Sequence, residues 1–596
     1  MIRRTIAAAL LSASLLPALA GAATPRVGVD YVPGEVLVLF RPGASAAAMQ
    51  SSFALQGHSL IDAVGDTGWQ RVRPAPGQTV MEAVAAWAAD PSVEMAQPNF
   101  IYRAFAVPDD PGFSQVWGLR NTAQTITTDR TQPPGTPLAY TISNPGTAGD
   151  DMNLVRAWDQ ITDCSGVVVA VLDTGINYLH EDLAPNMWTS VDFPLHGRNV
   201  VDGNDDPMDR NGHGTHVAGT IGARGNNGVG ITGVCWRVQL MAVRVLDTTG
   251  SGTTAQIIQG MDFASTHGAK VINMSLGGTG GLDPAYSLAI DRAQAADVAV
   301  VVAAGNSTLD DDLTPHWPCN FTQANVYCVA ALDQSYNLAS FSNWGLNSVA
   351  VGAPGTNVVS TWPGTNAEIS DPLTDGWTVP NGGWTYWTSP TARQYLVNPS
   401  GFPDALYTAG ANQSAYKGFA IPAADVTTLF FRASIDVANG DNFLVNYRPG
   451  GSTLDPFAGG TNLGTATGTF TYPATLPLEF DVSNCAGQTC TVVFQLASTG
   501  GTARGFAIRS FVFTTLSYNA TSYNTLNGTS MATPMVSGVV ALLRAYNPRF
   551  TYADALNAIG ASGRAIPALD GKTKTGKAVD AMAALAWVQA PTGLSA

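Results

Sequence analysis

The stretch VVVAVLDTG, residues 167–175, decides the expected fold. Its six apolar residues are typical of a strand buried on both faces of a parallel sheet, and Asp173 follows at the carboxyl end. Apolar runs at 240–246 and 298–304 alternate with helical spacing at 255–267 and 285–296. We therefore predict an α/β fold with a mostly parallel sheet flanked by helices. Functional groups of such sheets gather at the carboxyl ends of the strands.

The pattern of apolar and polar residues predicts two further domains beside this α/β domain. We predict a small α+β unit at 24–106, with a strand at 34–40, helices at 46–53 and 79–89, and extended chain from 93. The α/β domain is expected at 107–364 and 523–596, where 552–587 adds a C-terminal helix. Between these parts, alternating Thr-rich and aromatic runs predict an all-β, sandwich-like insert at 365–522. About 160 residues is far beyond an ordinary loop.

The first residues have the pattern of an export signal. Two arginines precede an apolar run at 6–19, and small residues follow it, so we predict a signal peptide at 1–23 and a secreted product. The alternative is a membrane anchor, for which the run is short.

Composition narrows the classes of partner. The chain has 596 residues, of which 45% are hydrophobic and 12% charged, so several globular domains are expected. The formal net charge of −15 argues against nucleic acid and anionic membranes as partners.

Six cysteines in an exported chain favour disulfides, for which about 15 pairings are possible. Proximity favours Cys319 with Cys328 and Cys485 with Cys490, which leaves Cys164 and Cys235. The alternative is that the cysteines are free buried thiols.

Two further segments place reactive side chains at expected helix starts. GHGTHVAGT, residues 212–220, carries His213, and NGTSMATP, residues 527–534, carries Ser530. Taken singly, Asp173 and Ser530 have the residue types of helix caps and His213 could be a packed turn residue. A serine hydroxyl becomes a strong nucleophile only beside a base that a third group orients, so the three residues together suggest a catalytic triad.

In that order, the three segments closely resemble the Asp, His and Ser motifs of the subtilisin-like serine proteases (subtilase family). AAGN, residues 303–306, matches as well and places Asn306 at the family's oxyanion hole. The resemblance implies a monomeric endopeptidase acting on polypeptide substrates through Ser530, His213 and Asp173. The alternatives are a processing protease whose insert selects one partner, a binding protein built on an inactive protease fold, and an α/β-hydrolase esterase. The segment GTSMA lacks the esterase elbow pattern, and the histidine precedes the serine.

The same resemblance aligns a substrate groove with Gly250, Ser251 and Gly252 on one side and Ser275, Leu276 and Gly277 on the other. His316 aligns with the floor of the main specificity pocket, whereas His216 is interpreted as structural.

A calcium site is implied by oxygen-rich positions of the family. The expected ligands are side chains of Gln115, Asp182 and Asn227 and carbonyls of Gly225, Val229 and Ile231. The acidic loop at 202–207 resembles a second calcium loop of some relatives, or is a solvated acidic turn.

Segments 34–38 and 93–99 resemble the two ends of the family's inhibitory propeptide, so the chain is expected to be a zymogen cut by itself near 103–107. The β insert departs from the family pattern. It either borders the groove and selects substrates or is a stabilising appendage.

Overall fold

The computed structural model describes residues 31–101, 106–132, 136–141, 145–450, 461–466, 468–470 and 476–589. The predicted signal peptide and most of the predicted processing junction lie outside these residues. The chain forms two compact units, Met1–Phe105 with Val588–Ala596, and Ala106–Trp587.

The first unit contains a four-stranded antiparallel sheet and two helices. The strand order is Ser59–Ala63, Trp69–Arg73, Tyr31–Phe40 and Val93–Phe100. Helices Ala46–Gln56 and Val80–Ala88 flank this sheet, and the fully buried Trp87 joins the apolar side chains of the central strand in one core. The two predicted helices and the two predicted strands, Tyr31–Phe40 and Val93–Phe100, are present, whereas the hairpin Ser59–Ala63 and Trp69–Arg73 was not predicted.

The second unit is built on a nine-stranded sheet that is parallel except at one edge. Its order is Arg564–Ala565, Lys577–Ala578, Val351–Pro354, Val326–Leu332, Ala299–Ala303, Ala269–Met274, Asp163–Asp173, Arg237–Arg244 and Gly197–Asn199. Strand Asp163–Asp173 lies in the middle of this sheet and is buried along its carboxyl-terminal half, as the opening stretch predicts.

Helices flank this sheet. Its α-helices are Leu154–Trp158, His213–Gly222, Thr254–Thr266, Pro284–Ala295, Thr529–Tyr546, Tyr552–Ser562 and Ala581–Gln589. Ala170 and Leu172 alternate along their strand and share a core with the helices at 254 and 284, both of which were predicted. Helices His213–Gly222 and Thr529–Tyr546 pack against each other, which brings two predicted functional segments together.

The β insert is a sandwich of two antiparallel sheets. The larger sheet contains Val358–Asp371, Thr385–Thr388, Gln394–Asn398, Val426–Val437, Gly468–Phe470, Leu476–Asp481 and Gly505–Leu526. The smaller one contains Asn412–Ala420, Asn442–Pro449, Thr461–Ala466 and Thr489–Ala497. Large aromatic side chains, among them Phe431, Phe494 and Phe511, fill the space between the sheets.

Two long strands connect the insert to the α/β part. Val358–Asp371 pairs with Gly505–Leu526 from Val358 opposite Leu526 to Asp371 opposite Phe511. The predicted boundaries at 365 and 522 therefore fall within continuous strands. The hairpin Thr127–Gln132 with Thr136–Thr141 and a separate antiparallel pair, Gly278–Thr279 with His316–Trp317, complete the described sheets.

The three predicted disulfides are all present, Cys164–Cys235, Cys319–Cys328 and Cys485–Cys490. No helix in the described part of the chain combines the length and apolar character needed to cross a bilayer.

Candidate active site

Asp173 and His213 form a hydrogen-bonded pair at the carboxyl end of the central strand. Asp173 ends strand Asp163–Asp173, is fully buried, and lies with its Oδ1 2.7 Å from Nδ1 of His213. The backbone N–H of Thr174 donates to the same oxygen at 2.8 Å. Burial acts to lower the pKa of His213, but the Asp173 carboxylate outweighs burial and raises this pKa above its ordinary value.

A second buried carboxylate, Asp209, shapes the turn that leads to His213. Its Oδ1 accepts hydrogen bonds from the Thr174 hydroxyl and from the backbone N–H groups of Asn211 and Gly212, each at 2.9 Å. Its Oδ2 accepts from the backbone and hydroxyl of Thr215 at 2.9 and 2.6 Å. The sequence analysis did not single out Asp209. A carboxylate four residues before the histidine, in a glycine-containing turn, was the available signal.

Ser530 is the second residue of helix Thr529–Tyr546, as its position at a helix start predicts. Its hydroxyl donates to the carbonyl of Ser275 at 3.2 Å, and the Ser275 hydroxyl donates to the carbonyl of Ser530 at 2.8 Å. These two contacts fix the serine at the strand end next to the groove. No hydrogen bond joins Ser530 to His213 in the described structure, a common finding for catalytic groups without substrate.

Asn306 is anchored so that its amide nitrogen lies beside Ser530. Its Oδ1 accepts hydrogen bonds from the backbone and hydroxyl of Thr529 at 2.9 and 3.0 Å. A methyl group built on Gly528 would lie 3.5 Å both from Nδ2 of Asn306 and from the backbone nitrogen of Ser530. Two N–H donors therefore flank one small space, the arrangement that an oxyanion needs.

His213, Asn306 and Ser530 border one open groove of about 750 Å³, and Asp173 and Asp209 lie buried behind it. Its lining includes His213, Asn306 and Ser530, together with the six predicted groove residues Gly250, Ser251, Gly252, Ser275, Leu276 and Gly277. The structure thus brings together residues as far apart in sequence as His213 and Ser530, which are separated by 317 positions.

The two neighbouring histidines differ in position. His316 lies at the base of the groove, where a methyl group on Gly277 would contact its ring at 2.4 Å, and burial lowers its pKa. His216 is fully buried with Nε2 3.0 Å from the carbonyl of Val358, and burial lowers its pKa to about 3. A permanently neutral, backbone-bonded His216 fits the structural interpretation.

Asp182, one of the predicted calcium ligands, contacts the loop 225–231 that carries four of the others. Oδ2 of the fully buried Asp182 accepts from the backbone of Ile231 at 2.8 Å and from the Tyr523 hydroxyl at 2.9 Å, and Asn227 lies 3.3 Å from its Oδ1. Burial raises the pKa of Asp182 to about 6. Gly225 and Val229 belong to the same loop.

Asp110, which the sequence analysis did not single out, also contacts this loop. The Asp110 carboxylate accepts from the backbone N–H of Asn226 at 2.7 Å and of Asn227 at 3.2 Å. Burial also raises the pKa of Asp110. Two buried carboxylates with raised pKa values and an amide side chain form an oxygen-rich donor set that fits a hard cation.

The acidic loop at 202–207 is already paired with arginines. Arg244 lies 2.7 Å from Oδ2 of Asp202, and Arg198 pairs with Asp205. Burial acts to raise the pKa of Asp202, but Asn199 and Arg244 outweigh it and lower this pKa. The arginine pairing favours the acidic-turn interpretation over a second calcium site.

Comparisons with known proteins identify the family of the chain. The profile of the Subtilase family matches residues 164–391 and 482–568, and that of the Fervidolysin N-terminal prodomain matches residues 17–99. The thermophilic serine proteinase of Bacillus sp. (strain AK1) is 34% identical over 337 residues, 56% of this chain and 72% of that protein. Thermitase of Thermoactinomyces vulgaris is 40% identical over 208 residues, 35% of this chain and 69% of that protein.

Among solved structures, a protease from Pseudoalteromonas arctica PAMC 21717 aligns with 81% of this chain and 99% of that chain, at 23% identity and a TM-score of 0.43. This likeness is too weak to support an argument.

The chain belongs to the subtilase family. It is a serine endopeptidase that carries an N-terminal prodomain. The segment between the two matched parts of the Subtilase profile falls within the β insert.

Proposed function

We propose that the chain is made as a secreted, self-processed zymogen whose mature form cleaves polypeptides through the triad Asp173, His213 and Ser530. The observation that carries this proposal is the 2.7 Å contact between Asp173 and His213 at the edge of the groove that Ser530 and Asn306 line. Segments 107–364 and 523–596 would form the catalytic domain, and 365–522 the insert.

In the proposed reaction, the Ser530 hydroxyl turns from the Ser275 carbonyl to His213 and attacks the scissile carbonyl carbon. His213 accepts the serine proton at Nε2 and returns it to the leaving amine, while Asp173 stabilises the imidazolium through Nδ1. Nδ2 of Asn306 and the backbone N–H of Ser530 stabilise the tetrahedral oxyanion. Water then enters by the same route and releases the acyl group from Ser530.

We assign a structural calcium ion to the cluster at loop 225–231. Asp182, Asn227 and Asp110 would hold it, with carbonyl groups from Gly225, Val229 and Ile231 as predicted further ligands. The ion would supply positive charge that compensates two buried carboxylates. Gln115 stays a prediction.

The prodomain is proposed to act as an intramolecular inhibitor until the chain is cut near 103–107. The polypeptide substrate and this prodomain are the expected partners of a monomeric enzyme, with neither nucleic acid nor membrane involved. The family membership and the match of residues 17–99 to a prodomain support this proposal.

The test is to replace the nucleophile. Ser530→Ala, produced in a protease-free host, is expected to remain a full-length precursor without peptidase activity, because no acyl-enzyme can form. The exposed Ser165 provides a matched control, and Ser165→Ala should mature and cleave casein like the wild type. Mature-sized protein from Ser530→Ala would contradict self-processing, and casein cleavage by it would contradict the triad.

A further inference from the structure

A second cavity, of about 270 Å³, lies between the catalytic part and the β insert. Arg210, Asn211 and Thr248 line it from the catalytic side, and strands of the larger insert sheet line the other side. Part of its insert-side lining, at 426–430 and Glu479, lies outside the segments that the Subtilase profile matches.

This cavity adjoins the substrate groove. Asn211 lines both spaces, and its Nδ2 donates to the carbonyl of Thr248 at 2.7 Å. Thr248 faces the second cavity, whereas the next residues, Thr249 and Gly250, line the groove. A polypeptide lying along the groove therefore passes the mouth of the second cavity.

Glu479 places a half-buried carboxylate in this cavity. Its single side-chain hydrogen bond within the described structure comes from the Thr248 hydroxyl, and no described lysine or arginine lies within ion-pair distance of it. Burial raises the pKa of Glu479 to about 7, and the nearby Asp247 acts in the same direction. Arg210 is engaged elsewhere, since its Nη1 lies 2.5 Å from Oδ2 of Asp481.

Asn366 contributes a second acceptor. Its Oδ1 is buried and has no hydrogen-bond partner among the described residues, although Asn366 lines the cavity. The remaining walls include the apolar side chains of Val426, Phe430 and Leu516. A carboxylate and an unpaired amide oxygen between apolar walls suit a ligand with a cationic, donor-rich head on an apolar stem.

We infer that this cavity is an accessory subsite that binds a lysine or arginine side chain of the polypeptide substrate. The inference rests on the proposed function. The methylene stem packs on Val426, Phe430 and Leu516, and the cationic head reaches Glu479 and Asn366. The insert thereby selects substrates that carry a basic residue at a fixed distance from the cleaved bond.

Paired peptides test the subsite. Each pair shares one sequence and differs by lysine or norleucine at a single position, and the position is moved along both sides of the cleaved bond. For the wild type we expect kcat/KM to favour lysine about tenfold at one position, a ratio typical of a partly exposed charged hydrogen bond. Glu479→Gln should reduce this ratio to about twofold or less, with the norleucine peptides unaffected.

Two further variants complete the design. Asp404→Asn removes an exposed carboxylate elsewhere on the insert and should keep the lysine preference. Asn366→Leu should lower the preference about threefold, and it tests the subsite even if Glu479→Gln fails to fold.

Equal rates for both members of every pair, or a lysine preference that survives both cavity variants, would overturn the subsite while leaving the proposed function intact. Cleavage of norleucine peptides that persists in Ser530→Ala would instead refute the proposed function on which the subsite rests.

Discussion

Asp209→Asn tests whether the buried turn positions the catalytic histidine. The substitution conserves shape but converts one carboxylate oxygen into an NH₂ group that cannot accept hydrogen bonds. If the NH₂ group takes the place of Oδ2, it faces the backbone N–H of Thr215, which donates to that oxygen at 2.9 Å. If the NH₂ group takes the place of Oδ1, it faces the backbone N–H groups of Asn211 and Gly212. Either orientation therefore leaves buried donors unpaired.

The expected magnitude follows from these contacts. Each buried donor left unpaired costs about 1–3 kcal/mol, so Asp209→Asn should lower the free energy of unfolding by about 2–4 kcal/mol. Because the same turn leads directly into His213, a displacement on the order of 1 Å would lower kcat/KM by up to about 10²-fold. Asp209 touches no substrate, and its effect on the rate would come through His213.

Stability should be measured by urea unfolding in a Ser530→Ala background, which prevents self-digestion, and kcat/KM in the active chain. Asp205→Asn is the matched control, because the half-exposed Asp205 pairs with Arg198 near the surface, where such a pair contributes at most about 1 kcal/mol. If Asp209→Asn behaves like Asp205→Asn in both measurements, the turn does not position His213.

Three further outcomes are expected. Asn306→Leu should lower kcat by about 10²–10³ with little change in KM, a range known from subtilisin, as measured by steady-state kinetics. Because the pKa of His213 is raised, the pH profile of kcat/KM should fall at acidic pH with a midpoint above the ordinary histidine pKa of about 6.5. Asp173→Asn should move this acidic midpoint to lower pH and lower kcat by about 10⁴. Chelation should destabilise the Ser530→Ala precursor in urea titrations by about 2–3 kcal/mol relative to saturating calcium, and Asp110→Asn should remove most of that difference.

The central sheet could be predicted because its strands are continuous apolar runs. Strand Asp163–Asp173 and helix Thr254–Thr266 each bury side chains in a pattern that local sequence records directly. The hairpin Ser59–Ala63 and Trp69–Arg73 escaped prediction because its strands are short and largely polar or exposed, so neither alternation nor an apolar run marks them.

The site residues were found from motifs, and their partners were not. Asp173, His213 and Ser530 each stand in a distinctive string, whereas Asp209 and Asp110 act through contacts that depend on chain folding. The Asp110 carboxylate accepts a hydrogen bond from the backbone of Asn227, 117 positions away in sequence, and no local sequence pattern predicts this contact. Gln115 was assigned from the family position alone, and its role as a calcium ligand stays a prediction.

The insert was interpreted either as a stabilising appendage or as a domain that borders the groove, and these interpretations predict different contacts with the α/β part. An appendage requires only that the two chain ends of the insert lie side by side. Here strand Val358–Asp371 also contacts helix His213–Gly222, because the hydroxyls of Ser360 and Thr361 donate to the carbonyls of His216 and Thr215 at 2.7 and 2.8 Å.

On the other side of the same helix start, Asp481 of the insert pairs with Arg210, and Glu479 accepts from Thr248 beside the groove. The insert therefore contacts the segments before and after His213 as well as one groove wall. Since the insert cannot move away from the catalytic part without breaking these contacts, they favour an insert that borders the groove, which is the arrangement that the inferred subsite requires.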